Sequence, residues 1–379
     1  MRHEVNRIVF RVDASMAIGI GHVMRCMTLA EALRDRGADC RFVCRAHAGN
    51  LVDLIRQRGF ETHALPVQRS DCSSRSADER LGGKETPHAA WLGTDWATDA
   101  AQTKVSLGET AVDWLIVDHY ALDARWEKQL RSVCHRLMAI DDLADREHDC
   151  DLLLDQNLGR ATADYAGLVP LGCTVLAGPK YALLRPEFAG LRDYSLARRA
   201  TPKLRHLLIT MGGVDQANAT GKVLDALRAC PLPADCRLTV VMGPHAPWLN
   251  QIRAKALHMP WMTEVLENVQ DMAQLMADSD LAIGAAGSTT WERCCLGLPG
   301  VVFVLAENQI ENSKALQEAK AAIVAPAFLT SPTVIEAALT FGLHDIIVRY
   351  QDYSRNGAAI CDGCGTYRVV DILRKPNGP

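Results

Sequence analysis

Short apolar runs alternate with helical patterns in two successive series along this chain, separated by a charged, proline-bearing segment. That alternation constrains the fold more than any other feature, because repeated βα units close parallel sheets with helices on their faces. In the first series strands are expected at 8–12, 41–44, 114–117, 137–140, 152–154 and 174–177. In the second they are expected at 204–210, 238–242, 263–266, 281–283 and 300–305. The fold class is therefore α/β, with two similar parallel-sheet domains joined by a hinge. The first should cover 1–195 and the second 203–345, with a linker near 198–203 and a helical tail over 346–379. A polar stretch over 68–84 reads as a surface loop, and the patterned stretch from Trp91 to Leu107 as a helix.

Open α/β sheets bind ligands beyond the carboxyl ends of their strands, so the residues just after each strand carry the functional information. After 8–12 comes Asp13 and then Gly19-Ile-Gly-His22-Val-Met-Arg25. The apolar spacing of Val23, Cys26, Met27, Ala30 and Leu33 is helical, which puts His22 in the first turn of a helix. Unpaired N–H groups there disfavour imidazolium, and a neutral histidine is a usable general base. The two glycines do not make a dinucleotide fingerprint, because Met24 stands where its third glycine belongs. Further polar clusters follow later strands: Asp118-His119-Tyr120, Asp141-Asp142 and Asp155-Gln156-Asn157.

Composition narrows the function classes. A formal charge of −4 over 379 residues gives no broad field for nucleic acid. No apolar run approaches the roughly 18 residues that span a bilayer, and no secretory h-region opens the chain, so a cytoplasmic location and no membrane partner are expected; a monomer is expected as well. The thirteen cysteines are odd in number and mostly sit in apolar patterns, as buried free thiols do. Cys361-Asp-Gly-Cys364 lacks a second pair at zinc-ligand spacing, and no metal or cofactor is expected.

The second series offers an anion site. Met211-Gly212-Gly213-Val-Asp215 lets a ligand approach the backbone, and Asp215 or Asn218 can cap the following helix. Gly284-Ala-Ala-Gly287-Ser288-Thr289-Thr-Trp-Glu292 leads from a strand into a helix, so the N–H groups of Gly287, Ser288 and Thr289 would face a phosphate. No GK[ST] is present, so this is not a nucleoside-triphosphate loop. Glu292 can accept hydrogen bonds from a ribose diol. Asn308 and Gln309, beyond the strand at 300–305, can read a sugar's hydroxyl or acetamido groups.

Taken in order, Gly19-Ile-Gly-His-Val-Met-Arg25, Val117-Asp-His-Tyr120, Ile140-Asp-Asp-Leu-Ala-Asp-Arg146, Asp155-Gln-Asn157, Gly212-Gly-Val-Asp215, Gly287-Ser-Thr-Thr-Trp-Glu292 and Glu307-Asn-Gln309 resemble the UDP-2,4-diacetamido-2,4,6-trideoxy-β-L-altropyranose hydrolases of pseudaminic acid biosynthesis. The resemblance implies a GT-B-like fold, two Rossmann-like domains facing each other across a cleft, and metal-independent hydrolysis of a UDP-sugar at its C1–O bond. The family's catalytic histidine falls on His22, and its tyrosine and asparagine near the sugar on Tyr120 and Asn308. The resemblance also brings Gly19, Gly21, Arg25 and Met242 into the expected substrate and UDP site, beside Gly212, Gly213, Asp215, Asn218, Gly287, Ser288, Thr289, Glu292 and Gln309. Asp13 is the expected partner that orients His22. A transferase using a UDP-sugar donor is the alternative enzyme, and a nucleotide-sugar binding protein the alternative outside enzymes.

Overall fold

The computed structural model describes residues 7–67, 86–243, 246–326 and 331–375. The segment 68–84, expected to be a surface loop, lies outside the described residues. The first sheet holds β1 (Arg7–Val12), β2 (Asp39–Arg45), β3 (Glu61–Leu65), β4 (Val112–Asp118), β5 (Cys134–Ile140), β6 (Leu152–Asp155) and β7 (Thr174–Ala177). All are parallel, in the order β3-β2-β1-β4-β5-β6-β7. The second holds β8 (His206–Thr210), β9 (Arg237–Met242), β10 (Thr263–Glu267), β11 (Leu281–Ala285), β12 (Gly300–Phe303) and β13 (Ile323–Val324), in the order β10-β9-β8-β11-β12-β13. In both, the order reverses beside the first strand. That is the switch point at which such sheets bind ligands.

Central strands read as apolar runs because helices cover both of their faces: Ile8, Val9, Phe10 and Val12 in β1, and Leu281, Ala282 and Ile283 in β11, are all buried. The two strands missing from the sequence reading are edges. In β3 (Glu-Thr-His-Ala-Leu) only Leu65 is fully buried, and β13 has two residues, so neither shows an apolar run.

The helices are α1 (Gly21–Arg34), α2 (Val52–Gln57), α3 (Trp96–Leu107), α4 (Ala124–Leu130), α5 (Pro186–Arg199), α6 (Ala219–Leu227), α7 (Leu249–Ala256), α8 (Met272–Asp278), α9 (Thr289–Cys295), α10 (Ile310–Glu318), α11 (Pro332–Val348), α12 (Tyr350–Ile360) and α13 (Gly365–Leu373). One compact unit comprises 1–156, 160–177 and 366–379; the other comprises 157–159 and 178–365. The division thus falls at Ala177/Gly178, ahead of the expected boundary at 195. The cause is α5, which is a helix with Pro186 in its first turn and belongs to the second unit. Its Ser195 Oγ donates to the Leu296 carbonyl at 2.7 Å, and Arg192 donates to the Ala358 carbonyl at 2.7 Å. The expected tail is also divided. α11 and α12 stay with the second unit, whereas α13 returns to the first, where Trp114 Nε1 donates to the Leu373 carbonyl at 3.0 Å. The described cysteines are free thiols.

Candidate active site

In the first unit, α1 starts one residue before His22, after a tight loop. Ser15 Oγ accepts from Ala17 N and Ile18 N, and Gly19 N donates to the Ser15 carbonyl at 2.8 Å. The turn needs φ +80° at Gly19, a conformation glycine adopts without a Cβ penalty. His22 is thereby set at the carboxyl end of β1, beside β4.

Its Nδ1 lies 2.6 Å from Asp118 Oδ1. Burial alone would raise the Asp118 carboxyl; Arg25 and His22 outweigh that and hold it well below the usual carboxylate range. Asp118 is therefore an acceptor only, and the proton of the contact sits on Nδ1. Nε2 makes no hydrogen bond among the described residues and is not among the buried unpartnered atoms, so its lone pair is open to a ligand. Arg25 grips the same carboxylate with two donors, Nε to Oδ2 and Nη2 to Oδ1, both at 2.7 Å. Arg25 Nη1 reaches Asp142 Oδ1 at 3.0 Å, and Asp142 Oδ2 accepts from the Tyr120 hydroxyl at 2.7 Å. The Tyr120 ring then meets the His22 ring edge-on at 4.7 Å. A closed circuit of five side chains fixes the histidine on one side by hydrogen bonds and on the other by an aromatic edge. His88 and Trp91 pack on Tyr120 as well, with ring centroids 5.4 and 6.0 Å away.

Two expectations for this unit are corrected. Asp13 does not orient His22: Arg11 Nη1 binds it at 2.6 Å, Arg45 N donates to it at 2.6 Å, and His119 Nε2 lies 3.4 Å from it. It anchors a separate buried network with Asp99, whose carboxylate also accepts from Arg11 Nη2 at 2.6 Å and from Trp126 Nε1 at 3.0 Å. Arg25 is not available to bind substrate, since its guanidinium is committed to Asp118 and Asp142. Asp141, at the end of β5, is occupied by Arg146, by Ala144 N and by the Tyr165 hydroxyl, and so serves the fold. Sequence reasoning noticed Asp118 only as one of a polar cluster. The adjacency of β1 and β4, which the chain order does not announce, makes it the partner of His22.

In the second unit, Gly212 sits at φ +98° after β8, and the Gly213 carbonyl accepts from Gly243 N at 3.0 Å. Asp215 caps: its two oxygens accept from Ala219 N at 2.7 Å and Thr220 N at 2.9 Å. Asn218, in a left-handed conformation, accepts from Gly221 N and is the N-cap of α6. Both are therefore turned toward their own helix rather than toward a ligand. Met242, expected in the UDP site, is 2% exposed and lies in the core of this unit with Ile209, Val240 and Leu249.

The loop between β11 and α9 leads from the strand into the first turn of the helix. The N–H groups of Gly287, Ser288 and Thr289 have no hydrogen-bond partner among the described residues. Gln309 belongs to the same place: its Oε1 accepts from Leu305 N at 2.9 Å, and a Cβ added to Gly287 would stand 4.0 Å from its Nε2. Asn308 is exposed, within a short turn over Glu307–Gln309. The Glu292 carboxyl forms no hydrogen bond among the described residues, and loss of hydration pushes it up to about 7 against the opposing pull of Arg185 and Arg293. Among the described residues no group of three or more His, Cys, Asp or Glu side chains could hold a metal ion, and no helix is long and apolar enough to cross a membrane.

If Glu292 receives a ribose diol, its ionised form is the better acceptor. UDP affinity is then expected to rise with pH through about 7 and level off above it. Glu292→Gln should weaken UDP by roughly tenfold and flatten that dependence, since a hydrogen bond to a charged group is worth about 1.5–3 kcal/mol. Calorimetric titration at pH values on both sides of 7 checks both effects, and a pH-independent wild-type affinity would remove Glu292 from the site.

The two parallel-sheet units have the GT-B fold. The structure is similar to that of MurG from Acinetobacter baumannii, with TM-score 0.64, 16% identity, and coverage of 97% of this chain and 99% of that one. Residues 207–358, all within the second unit, match the model of the glycosyltransferase family 28 C-terminal domain. Among curated sequences, the chain is 24% identical over 310 residues to an uncharacterised protein of Methanocaldococcus jannaschii. That match takes in 81% of this chain and spans 57% of the relative's length. The chain is also 27% identical over 292 residues to the UDP-2,4-diacetamido-2,4,6-trideoxy-β-L-altropyranose hydrolase of Campylobacter jejuni, covering 76% of this chain and 88% of that one.

Proposed function

We propose that this chain hydrolyses a UDP-linked 2,4-diacetamido-2,4,6-trideoxy sugar at the anomeric C1–O bond, releasing UDP and the free sugar for pseudaminic acid biosynthesis. The observation that carries the reading is the His22–Asp118 pair, which holds a proton on Nδ1 and leaves the Nε2 lone pair open. His22 Nε2 takes a proton from water, the water oxygen bonds to the anomeric carbon, and the C1–O pair of electrons leaves with UDP. Asp118 steadies the imidazolium that forms, and Arg25 and Asp142 keep Asp118 in place. The second unit holds the leaving group, with the N–H groups of Gly287, Ser288 and Thr289 on the diphosphate and Glu292 on the ribose. Preorganised donors of this kind are worth a few kcal/mol at a developing anion. The Campylobacter jejuni relative supports the choice of sugar and of water as acceptor.

The match of the second unit to a glycosyltransferase model favours a second reading, transfer of the sugar to an acceptor hydroxyl. Incubation with the UDP-sugar in ¹⁸O-labelled water, chelator present, separates the two. The expected result is label in the free sugar, none in UDP, and a rate unaffected by chelator. Label in UDP would mean attack at phosphorus, and a strict need for a divalent ion would overturn the metal-independent route. Absence of turnover despite UDP binding would favour the transferase or a binding protein.

A further inference from the structure

Arg293 is one turn into α9 and 3% exposed, with its guanidinium directed back at the loop that precedes the helix. Nη2 donates to the Ala285 carbonyl at 2.9 Å and to the Thr290 hydroxyl at 3.0 Å, and Nη1 donates to the Thr289 hydroxyl at 3.3 Å. The space it occupies exists because residue 284 is glycine: a Cβ there would stand 2.6 Å from Nη1.

All three acceptors are neutral. By contrast, the described arginines buried in the first unit, Arg11, Arg25, Arg45 and Arg146, each have an aspartate within 2.7 Å. Arg293 has no ion pair among the described residues, and the loss of hydration that comes with its burial lowers its pKa. Among the described residues Arg199 is the one comparable case, and it is explained by the carbonyls of Met276, Ala277 and Ser279 at the end of α8, which it caps. Arg293 caps no helix end. Its neighbour in sequence, Glu292, attracts it but makes no hydrogen bond or ion pair with it, and burial pushes that carboxyl up to about 7. A buried cation without a counterion is costly. A ligand anion arriving at the loop would remove that cost.

We propose that Arg293 is a positioning residue whose counterion is the diphosphate itself. It fixes the Ala285 carbonyl and the Thr289 and Thr290 hydroxyls so that the N–H groups of Gly287, Ser288 and Thr289 stay turned to the ligand. Its charge, little screened in this dry setting, makes the site discriminate by phosphate charge. The proposal rests on the reading that UDP binds at this loop, and adds to it that affinity for UDP over uridine is set largely by Arg293.

The test is calorimetric titration of the full chain with UDP and with uridine, in the wild type, Arg293→Gln and Arg293→Lys. Gln can still donate to the Ala285 carbonyl but carries no charge, whereas Lys keeps the charge and loses the planar fork. The expected result is that Arg293→Gln narrows the preference for UDP over uridine by about tenfold or more, with uridine affinity little changed, and that Arg293→Lys keeps most of the preference. Equal weakening of both ligands in Arg293→Gln, or no change in their ratio, would show a role in folding the loop alone. Should Arg293→Gln not fold, loss of the preference in Arg293→Lys overturns the proposal by itself. A wild type that binds no UDP would instead remove the UDP site.

Discussion

His22→Ala is expected to lower turnover by roughly 10²–10⁴-fold, the usual contribution of a positioned general base, while UDP binds as it does to the wild type. The reason for the split is that His22 belongs to the first unit, whereas every group proposed to hold UDP belongs to the second. His22→Asn should behave alike, because an amide fills the space but cannot take a proton from water. Stopped assays of UDP release, set beside calorimetric UDP affinity, check both variants. If UDP affinity fell as far as turnover, His22 would be a binding or folding residue, and the base would have to be sought elsewhere.

The second large effect is expected from Asp118→Asn. In the wild type the ionised carboxylate accepts from His22 Nδ1 at 2.6 Å and from two donors of Arg25. An amide offers one acceptor atom and a competing donor, so the ring loses the hydrogen bond that selects its tautomer. Turnover should fall by about 10²–10⁴-fold, as when the carboxylate of a catalytic triad is replaced. Stability should fall too, by about 3 kcal/mol or more, because Arg25 remains buried with only Asp142 to compensate it. The two losses are separable: urea unfolding reports the second, and the Nδ1 proton resonance of His22 reports the tautomer in the folded variant. An Asp118→Asn enzyme that keeps more than a tenth of wild-type turnover would show that His22 needs no orienting carboxylate.

Much of the architecture was legible in the residues. Central parallel strands are covered on both faces, so β1, β4, β5, β8, β9, β11 and β12 stand out as apolar runs, and glycines after strands mark where backbone turns sharply. His22 is placed in the first turn of α1 by the helical spacing that follows it, a purely local signal. The turn at Gly287–Thr289 follows from another local signal, an apolar strand that runs into glycine and hydroxyl residues. Edge strands β3 and β13 were not, since an edge need not bury both faces. The boundary between the units was displaced because a charged, proline-bearing segment reads as a linker until its buried face, Phe188, Ser195 and Arg199, is seen packed.

Short-range periodicity carries secondary structure, so the order of residues already tells which side chains could do chemistry and on which strand ends they lie. Which of those residues meet was decided by tertiary structure alone. Asp13 lies nine positions from His22 and Asp118 ninety-six, yet the parallel pairing of β1 with β4 brings Asp118 to the ring, and Arg11 and Arg45 claim Asp13. Arg25, Met242, Asp215 and Asn218 were set aside on the same ground. A side chain's partners depend on contacts across the sheet and within the core, and those distances are not written in the order of the chain.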